Sequence, residues 1–327
     1  MTSASELEQA IFGVDTAGHI DGWLASVVTS RLGTGIDRIE FRAGRVDAVY
    51  GLRLDDDRAV VLKVHRPPVG ISHLETTDAG LRHLSRHGYP CPDPIDGPVL
   101  IDGHVVTVQS LLTRGTAGDA HRPPVRRAMA ASLAEHIEIL TGIPGGTAAL
   151  APRLGPGPAW TQYTGGPWPT PHEPIFDFTG TPAGWEWLDD YAREATAELI
   201  RLHSVSPTVI AHADWYAGNL RFEDDRVVAA FDWELIADQE AVLVGLSAGG
   251  YLADAAPSPT EVADYIDDYD KARPLHTDGR RAAATAARWM LAFNARCDLS
   301  MLEDAPAPGS ALHRLATDRE AYRLIHP

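Results

Sequence analysis

The chain has 327 residues, with 28 Lys and Arg against 45 Asp and Glu, a formal charge of −17. That balance speaks against nucleic acid or an anionic membrane as a partner, and two cysteines, Cys91 and Cys297, are too few for a disulfide framework. A hydrophobic fraction of 44% and a length with room for two lobes describe an ordinary globular protein. The first residues are acidic and carry no signal-peptide pattern. The longest apolar run, Ala241 to Ala253, is too short to span a bilayer, so a cytoplasmic protein is expected. The acid surplus suits a cationic substrate, and it equally serves solubility.

In chain order, a helix is expected near Ile20 to Ser30, after which the pattern changes to period two. Ile36 to Phe41, Ala48 to Leu54 and Ala59 to Val64 read as three antiparallel strands, with a loop from Arg42 to Asp47 and a turn at Asp55-Asp-Asp57. Lys63 falls mid-strand between apolar neighbours, where an ammonium needs a partner or a ligand unless it snorkels at a strand edge. After Pro67-Pro68 a helix presents Leu74, Leu81 and Leu84 on one face and stops at Gly88. Val99 to Ile101 and Val105 to Gln109 read as a hairpin turned at Asp102-Gly103, leading into Ser110-Leu111-Leu112. A domain boundary near Leu112 gives lobes of 1–112 and 113–327.

The second lobe opens with a helix, Arg126 to Leu140. Pro152 to Gly184 holds eight Pro and six Gly, with Trp160 and Trp168 among them, and reads as a packed loop or substrate flap rather than a linker. A helix from Trp185 to His203 follows. Ser258 and Glu261 form a capping box with Pro259 at the first helical position. That helix has an apolar stripe of Val262, Tyr265, Ile266 and Tyr269, with Asp264, Asp267 and Asp268 expected off it, on a solvated face.

Between these helices lies His212-Ala-Asp214-Trp-Tyr-Ala-Gly-Asn219, followed by Asp232-Trp233-Glu234. Val209 to Ala211 reads as a strand entering the loop, and Asn219 to Phe222 and Val227 to Phe231 as a hairpin that brings Asp232 back to it. Asp and Asn also favour ordinary surface turns. An aspartate, an asparagine five residues on and a second aspartate after a strand are the acidic set of kinases, however. One carboxylate, Asp214, takes the hydroxyl proton, while Asn219 and Asp232 offer magnesium the hard oxygen ligands it prefers. His212 is expected to hold the loop by hydrogen bonds.

HADWYAGN followed by FDWE resembles the aminoglycoside phosphotransferase family, which also contains choline, homoserine and fructosamine kinases. The resemblance runs from about Ile36 to about Ala256. It implies an α+β, protein-kinase-like two-lobed fold: an N-terminal antiparallel sheet plus helix, and a mostly helical C-terminal lobe. It further implies ATP or GTP with Mg2+, and Lys63 on the α- and β-phosphates. Either Asp78 or Glu75 would pair with that lysine; the shorter Asp78 departs from the usual glutamate. The loop holding Gly44 and Arg45 would cover the phosphates, although no G-x-G-x-x-G occurs there. Backbone groups at Leu111 would hold the base. Asp238 resembles a later loop aspartate of the family; the carboxylate expected four residues on is Val242 here.

The partner expected is a hydroxylated small molecule, an aminoglycoside or other antibiotic or secondary metabolite, phosphorylated by a monomer or homodimer. A metabolic kinase for choline, homoserine or a sugar is the alternative, and an inactive nucleotide-binding scaffold a third. If the substrate is an amine, the acids of the Asp264 helix would bind it; if neutral, Trp160 and Trp168 would stack on it.

Overall fold

The structure, a computed structural model, describes residues 4–68, 70–154, 166–171, 175–202 and 204–325. It forms two compact units, Met1–Thr113 and Arg114–Pro327. Among the described residues no helix is long and apolar enough to cross a membrane.

The first unit begins with helices α1 (Glu6–Phe12), closed by a Ser5/Glu8 capping box, and α2 (Ala17–Leu32). A five-stranded antiparallel sheet follows: β1 (Ile36–Ala43), β2 (Ala48–Leu54), β3 (Ala59–His65), β4 (Pro94–Ile101) and β5 (His104–Ser110), in the order β1-β2-β3-β5-β4. Helix α3 (Ile71–Arg86) joins β3 to β4. The turn between β4 and β5 has positive φ at both Asp102 (50°) and Gly103 (86°), the backbone twist that matches flanking strands in a two-residue hairpin.

Strand alternation divides this sheet chemically. Tyr50, Leu52, Leu54, Val60, Leu62, Val64, Val106 and Val108 are buried in one apolar cluster with Ile20, Leu24, Val27 and Val28 of α2. The residues between them, Lys63, His65, Thr107 and Gln109 among them, therefore project from the opposite face. Helix α1 is also tied to the strands by charge. Buried Glu8 accepts from the Tyr50 hydroxyl (3.0 Å) and Arg42 (2.8 Å).

The second unit contains α4 (Pro123–Thr141), α5 (Gly146–Leu154), α6 (Glu186–Arg201), β6 (Thr208–His212), β7 (Leu220–Glu223), β8 (Arg226–Ala230) and β9 (Leu235–Gln239). Helices α7 (Glu240–Gly250), α8 (Pro259–Ala272), α9 (Thr277–Ser300) and α10 (Ala311–Arg323) complete it. β6 pairs antiparallel with β9, and β7 with β8. The β7–β8 turn has φ of 49° at Asp224 and 56° at Asp225, again the geometry a tight hairpin needs.

Helices α7 and α9 touch backbone to backbone. A Cβ on Gly245 would lie 2.2 Å from the Ala283 carbonyl oxygen, and one on Gly249 2.5 Å from that of Ala287. The apolar run at Ala241–Ala253 falls mostly in the buried helix α7, which needs glycine on one side and alanine on the other to approach so closely.

The structure extends several sequence expectations. α1 and β9 are absent from them, and the region past Ala256 is three helices. α5 runs to Leu154, into the Pro/Gly-rich segment. Trp160 lies outside the described residues.

Candidate active site

The loop 212–219 is built outward from a buried histidine pair. His136 of α4 is fully enclosed, and burial holds its imidazole well below the usual histidine range, hence neutral. Its Nε2 accepts from the His212 backbone N–H (3.3 Å). His212 in turn accepts the Asp214 N–H at Nδ1 (3.1 Å), so its proton sits on Nε2, facing the Phe231 carbonyl at 3.3 Å. One neutral imidazole thus links the backbone of Asp214 to that of the residue preceding Asp232, the structural role the sequence assigns to His212.

Trp215 and Trp233 close around the pair, with ring centroids 4.9 and 5.4 Å from His136. Each indole N–H is spent on a carbonyl, Trp215 on Met129 (3.0 Å) and Trp233 on Ala230 (2.7 Å). His136 was not found by sequence reasoning. The available signal was a histidine set among the apolar positions Met129, Leu133, Ile137 and Leu140 of a helix.

On this base stand the three acidic-set residues. Asp214 is exposed, Asn219 is buried in a short 3-10 turn, Ala217–Asn219, and Asp232 is exposed. Asn219 donates through Nδ2 to the Asp214 carboxylate (2.8 Å) and carbonyl (3.1 Å), which leaves its Oδ1 as the end suited to a cation. The Phe231 N–H donates to the Asn219 carbonyl (3.1 Å), bringing the start of Asp232 beside Asn219. Asp232 has φ 61°, a left-handed conformation that costs a non-glycine residue of order 1 kcal/mol.

The donor set fits magnesium. Among the described residues no group of three His, Cys, Asp or Glu gathers as a self-sufficient metal cage. One carboxylate and one amide oxygen are what a magnesium ion needs when phosphates and water supply the rest of its octahedron. Asp238 lies in strand β9 rather than a loop, and its Oδ1 accepts from the Gln239 N–H (2.6 Å).

In the first unit, Lys63 sits in β3 opposite Val49 of β2 and Thr107 of β5. Of the two α3 carboxylates, Glu75 is exposed and Asp78 buried. Burial pushes Asp78 up to about 6 against the opposing charges of Arg82 and His65 and a bond from Gln109. Its Oδ2 has no hydrogen-bond partner among the described residues. Gly44 has φ 120°, and a Cβ there would fall 1.8 Å from the Asp47 carbonyl oxygen, so the loop shape requires glycine. Arg45 is exposed in that loop. The Leu111 N–H extends the ladder to the Ala59 carbonyl (3.0 Å), which leaves the Leu111 carbonyl, and not its amide, for a base.

Two expectations about substrate contacts are corrected. Asp268 is not on a solvated face: it is buried and holds the Arg126 Nε at 2.8 Å, with Lys271 at 3.0 Å. Arg126 also reaches Asp264 (3.1 Å), and Arg280 pairs with Asp267. The α8 acids are thus answered by cations of the chain itself. Trp168 is 8% exposed with its indole N–H on Asp189 (2.7 Å), so its ring is packing, not a platform for a ligand.

The chain resembles a range of solved structures, three of which follow. The first is the amicoumacin kinase hAmiN in complex with AMP-PNP, Ca2+ and Ami: 12% identity, 88% of each chain covered, TM-score 0.64. The second is a thermostable mutant of aminoglycoside phosphotransferase APH(4)-Ia with ADP and hygromycin B: 11%, 94% of this chain and 97% of that one, TM-score 0.54. The third is macrolide 2'-phosphotransferase MphH from Brachybacterium faecium: 16%, 92% and 95%, TM-score 0.51. At such identities the likeness establishes the kinase-like fold. None of the curated proteins matches the sequence. The description "Phosphotransferase enzyme family" matches residues 37–275, which contain Lys63, the Asp214 loop and Asp232, and the chain therefore belongs to the phosphotransferase enzyme family.

Proposed function

We propose that the enzyme moves the γ-phosphoryl group of ATP to a hydroxyl of a small molecule, a hydroxylated antibiotic or similar secondary metabolite. The observation that carries this reading is the Asp214–Asn219 pair: the amide nitrogen fixes one oxygen of the carboxylate, which leaves the amide oxygen as the end suited to a cation. Asp214 orients the acceptor hydroxyl and takes its proton. Asn219 and Asp232 hold magnesium, which when bound supplies positive charge to the nucleotide phosphates. Lys63 binds the α- and β-phosphates, the Gly44–Arg45 loop offers backbone amides to them, and the Leu111 carbonyl meets the base. Phosphoryl transfer asks little covalent chemistry of a protein, so positioning and charge are most of what these residues contribute.

The solved structures that bind amicoumacin and hygromycin B support the choice of an antibiotic-like acceptor, and their AMP-PNP and ADP support an adenine nucleotide. The partnered acids of α8 support an acceptor recognised by its hydroxyls more than by cationic charge. The test is ATP and GTP consumption, with Mg2+, across amino-sugar, macrolide and nucleoside antibiotics, sugars and choline. Turnover confined to choline, homoserine or a simple sugar overturns the acceptor class and leaves the phosphotransferase standing. Expression of the chain in a susceptible bacterium is expected to raise resistance to the compound that turns over.

A further inference from the structure

We propose that Asp47, through a relay with His65 and Thr107, is the carboxylate that positions Lys63 for the nucleotide phosphates. The inference rests on the kinase reading of Lys63.

The sheet register places the groups. Val49 faces Lys63 and Ala48 faces Val64, so Asp47, the residue before β2, comes opposite His65. Side chains alternate along a strand, which puts Lys63 and His65 on one face of β3 and Asp47 on that same face across the gap. Asp47 is then the diagonal cross-strand neighbour of Lys63, with roughly 7–8 Å between backbones, a span a lysine side chain covers. On the other side Thr107 faces Lys63 directly.

Hydrogen bonds fix this array. Buried His65 joins Asp47 Oδ2 through Nδ1 (2.7 Å) and Thr107 Oγ1 through Nε2 (2.9 Å). The other Asp47 oxygen, Oδ1, accepts the Arg66 N–H at 2.9 Å. With both oxygens engaged the carboxylate has one orientation. Burial would raise its pKa, yet the His65 bond and charge, the Arg66 amide and the Lys63 charge outweigh burial and hold it below the usual range. Asp78 contrasts on each count. The charges acting on it are Arg82 and His65, and burial keeps it raised.

Asp47 also ends the loop that begins at Gly44, so one carboxylate anchors that loop to the end of β3 and stands on the sheet face that carries Lys63. Neutralising it should cost nucleotide affinity mainly through Lys63, a coupling that a purely structural residue would not show.

The experiment is calorimetric titration of the full chain with AMP-PNP and Mg2+, using Asp47→Asn, His65→Gln, Lys63→Met and the two doubles with Lys63→Met. Asp47→Asn is expected to weaken binding about tenfold, and His65→Gln about threefold, with Asp47→Glu restoring most of the loss. In the Lys63→Met background both changes should add less than about twofold. Asp47→Asn binding like wild type overturns the inference, as does a loss that adds in full to that of Lys63→Met. If Asp47→Asn does not fold, His65→Gln decides by the same two criteria. A wild type that holds no AMP-PNP defeats the kinase reading itself. A wild type that binds, with Lys63→Met impaired and the Asp47 and His65 variants intact, defeats this inference alone.

Discussion

The second unit holds two sets of aspartates that look alike in sequence and differ in what surrounds them. Asp264, Asp267 and Asp268 of α8 face Arg126, Arg280 and Lys271, and Asp268 is buried with its arginine. Asp214 and Asp232 are exposed, on backbone held by imidazoles and indoles, and the Asn219 amide donates to the Asp214 carboxylate. The first set is consumed in holding helices together; the second stands exposed on a braced loop and hairpin, and in the proposed reaction it meets the ligand. A formal charge of −17 does not distinguish them. What separates the two sets is how they are presented, one exposed on a braced loop, the other buried in part against cations of neighbouring helices.

The largest expected effect sharpens the ligand side of this contrast. Asp214→Ala should lower kcat by about a thousandfold while AMP-PNP affinity stays near wild type, because in the proposed reaction the carboxylate meets the acceptor hydroxyl and not the nucleotide. Steady-state kinetics beside a binding titration read both. Retention of a tenth of the turnover, by order of magnitude, would remove Asp214 from the reaction.

The structural side breaks differently. Asp268→Ala leaves the Arg126 guanidinium, 7% exposed, without its closest partner. Removing one member of a buried pair costs about 3–5 kcal/mol, to be seen as a lower urea midpoint with little change in kcat of the folded fraction. A stable Asp268→Ala protein would place Arg126 in water and dissolve the distinction drawn here.

Next in size is the helix contact that carries the loop's support. Ser247 of α7 donates to the Trp215 carbonyl at 2.9 Å, so α7 must keep its place against α9. Gly245→Ala sets a methyl against the Ala283 carbonyl oxygen and should cost about 1–3 kcal/mol of stability. Because α7 also positions Tyr251, whose carbonyl takes the Ala217 N–H at 2.9 Å, kcat should fall too.

The histidine base predicts a pH dependence. His136 in the fold titrates well below the unfolded value of about 6.5, so its contribution is present in full above that value and is lost as pH falls toward the folded one. Between about pH 8 and pH 5 the urea midpoint should drop for wild type and drop less for His136→Gln. Equal slopes in the two proteins would mean that His136 is not held neutral.

These contrasts also mark what the sequence could show. The Asp214, Asn219 and Asp232 spacing is a local motif closed by a hairpin, and both parts lie within 21 residues, so strand periodicity and turn chemistry were enough to place them. The strands around Lys63 were legible for the same reason. Helix α1 was missed because seven residues give too little periodicity to stand out, and its Ser5/Glu8 capping box was overlooked. Strand β9 was missed because Leu235-Ile-Ala-Asp-Gln239 is short and pairs with β6, at the far end of the intervening loop and hairpin. Asp268 was misread because the apolar stripe of α8 was drawn from its hydrophobic residues alone. Arg126 is 142 positions away in sequence, and only the fold brings its charge to that helix.

The smallest effect tests the comparison where it is most exposed. Asp264 keeps 44% of its side-chain surface and Asp267 is similarly open, so each ion pair is worth about 0–1 kcal/mol. Asp264→Asn and Asp267→Asn should therefore shift the urea midpoint barely at all. If the α8 acids were a docking site for a cationic acceptor, either change would raise KM, and KM would climb with salt as the Debye length shortens from roughly 14 Å at 50 mM to 7 Å at 200 mM. With Arg126 and Arg280 already on those oxygens, an arriving amine would have to displace a tethered guanidinium held at high effective concentration. The expected outcome is a KM unchanged within about twofold in both variants and across that salt range. A KM that rises several-fold in Asp264→Asn, but not in a control change such as Asp304→Asn, would return the α8 acids to the substrate and leave Asp268 as the sole structural member of the set.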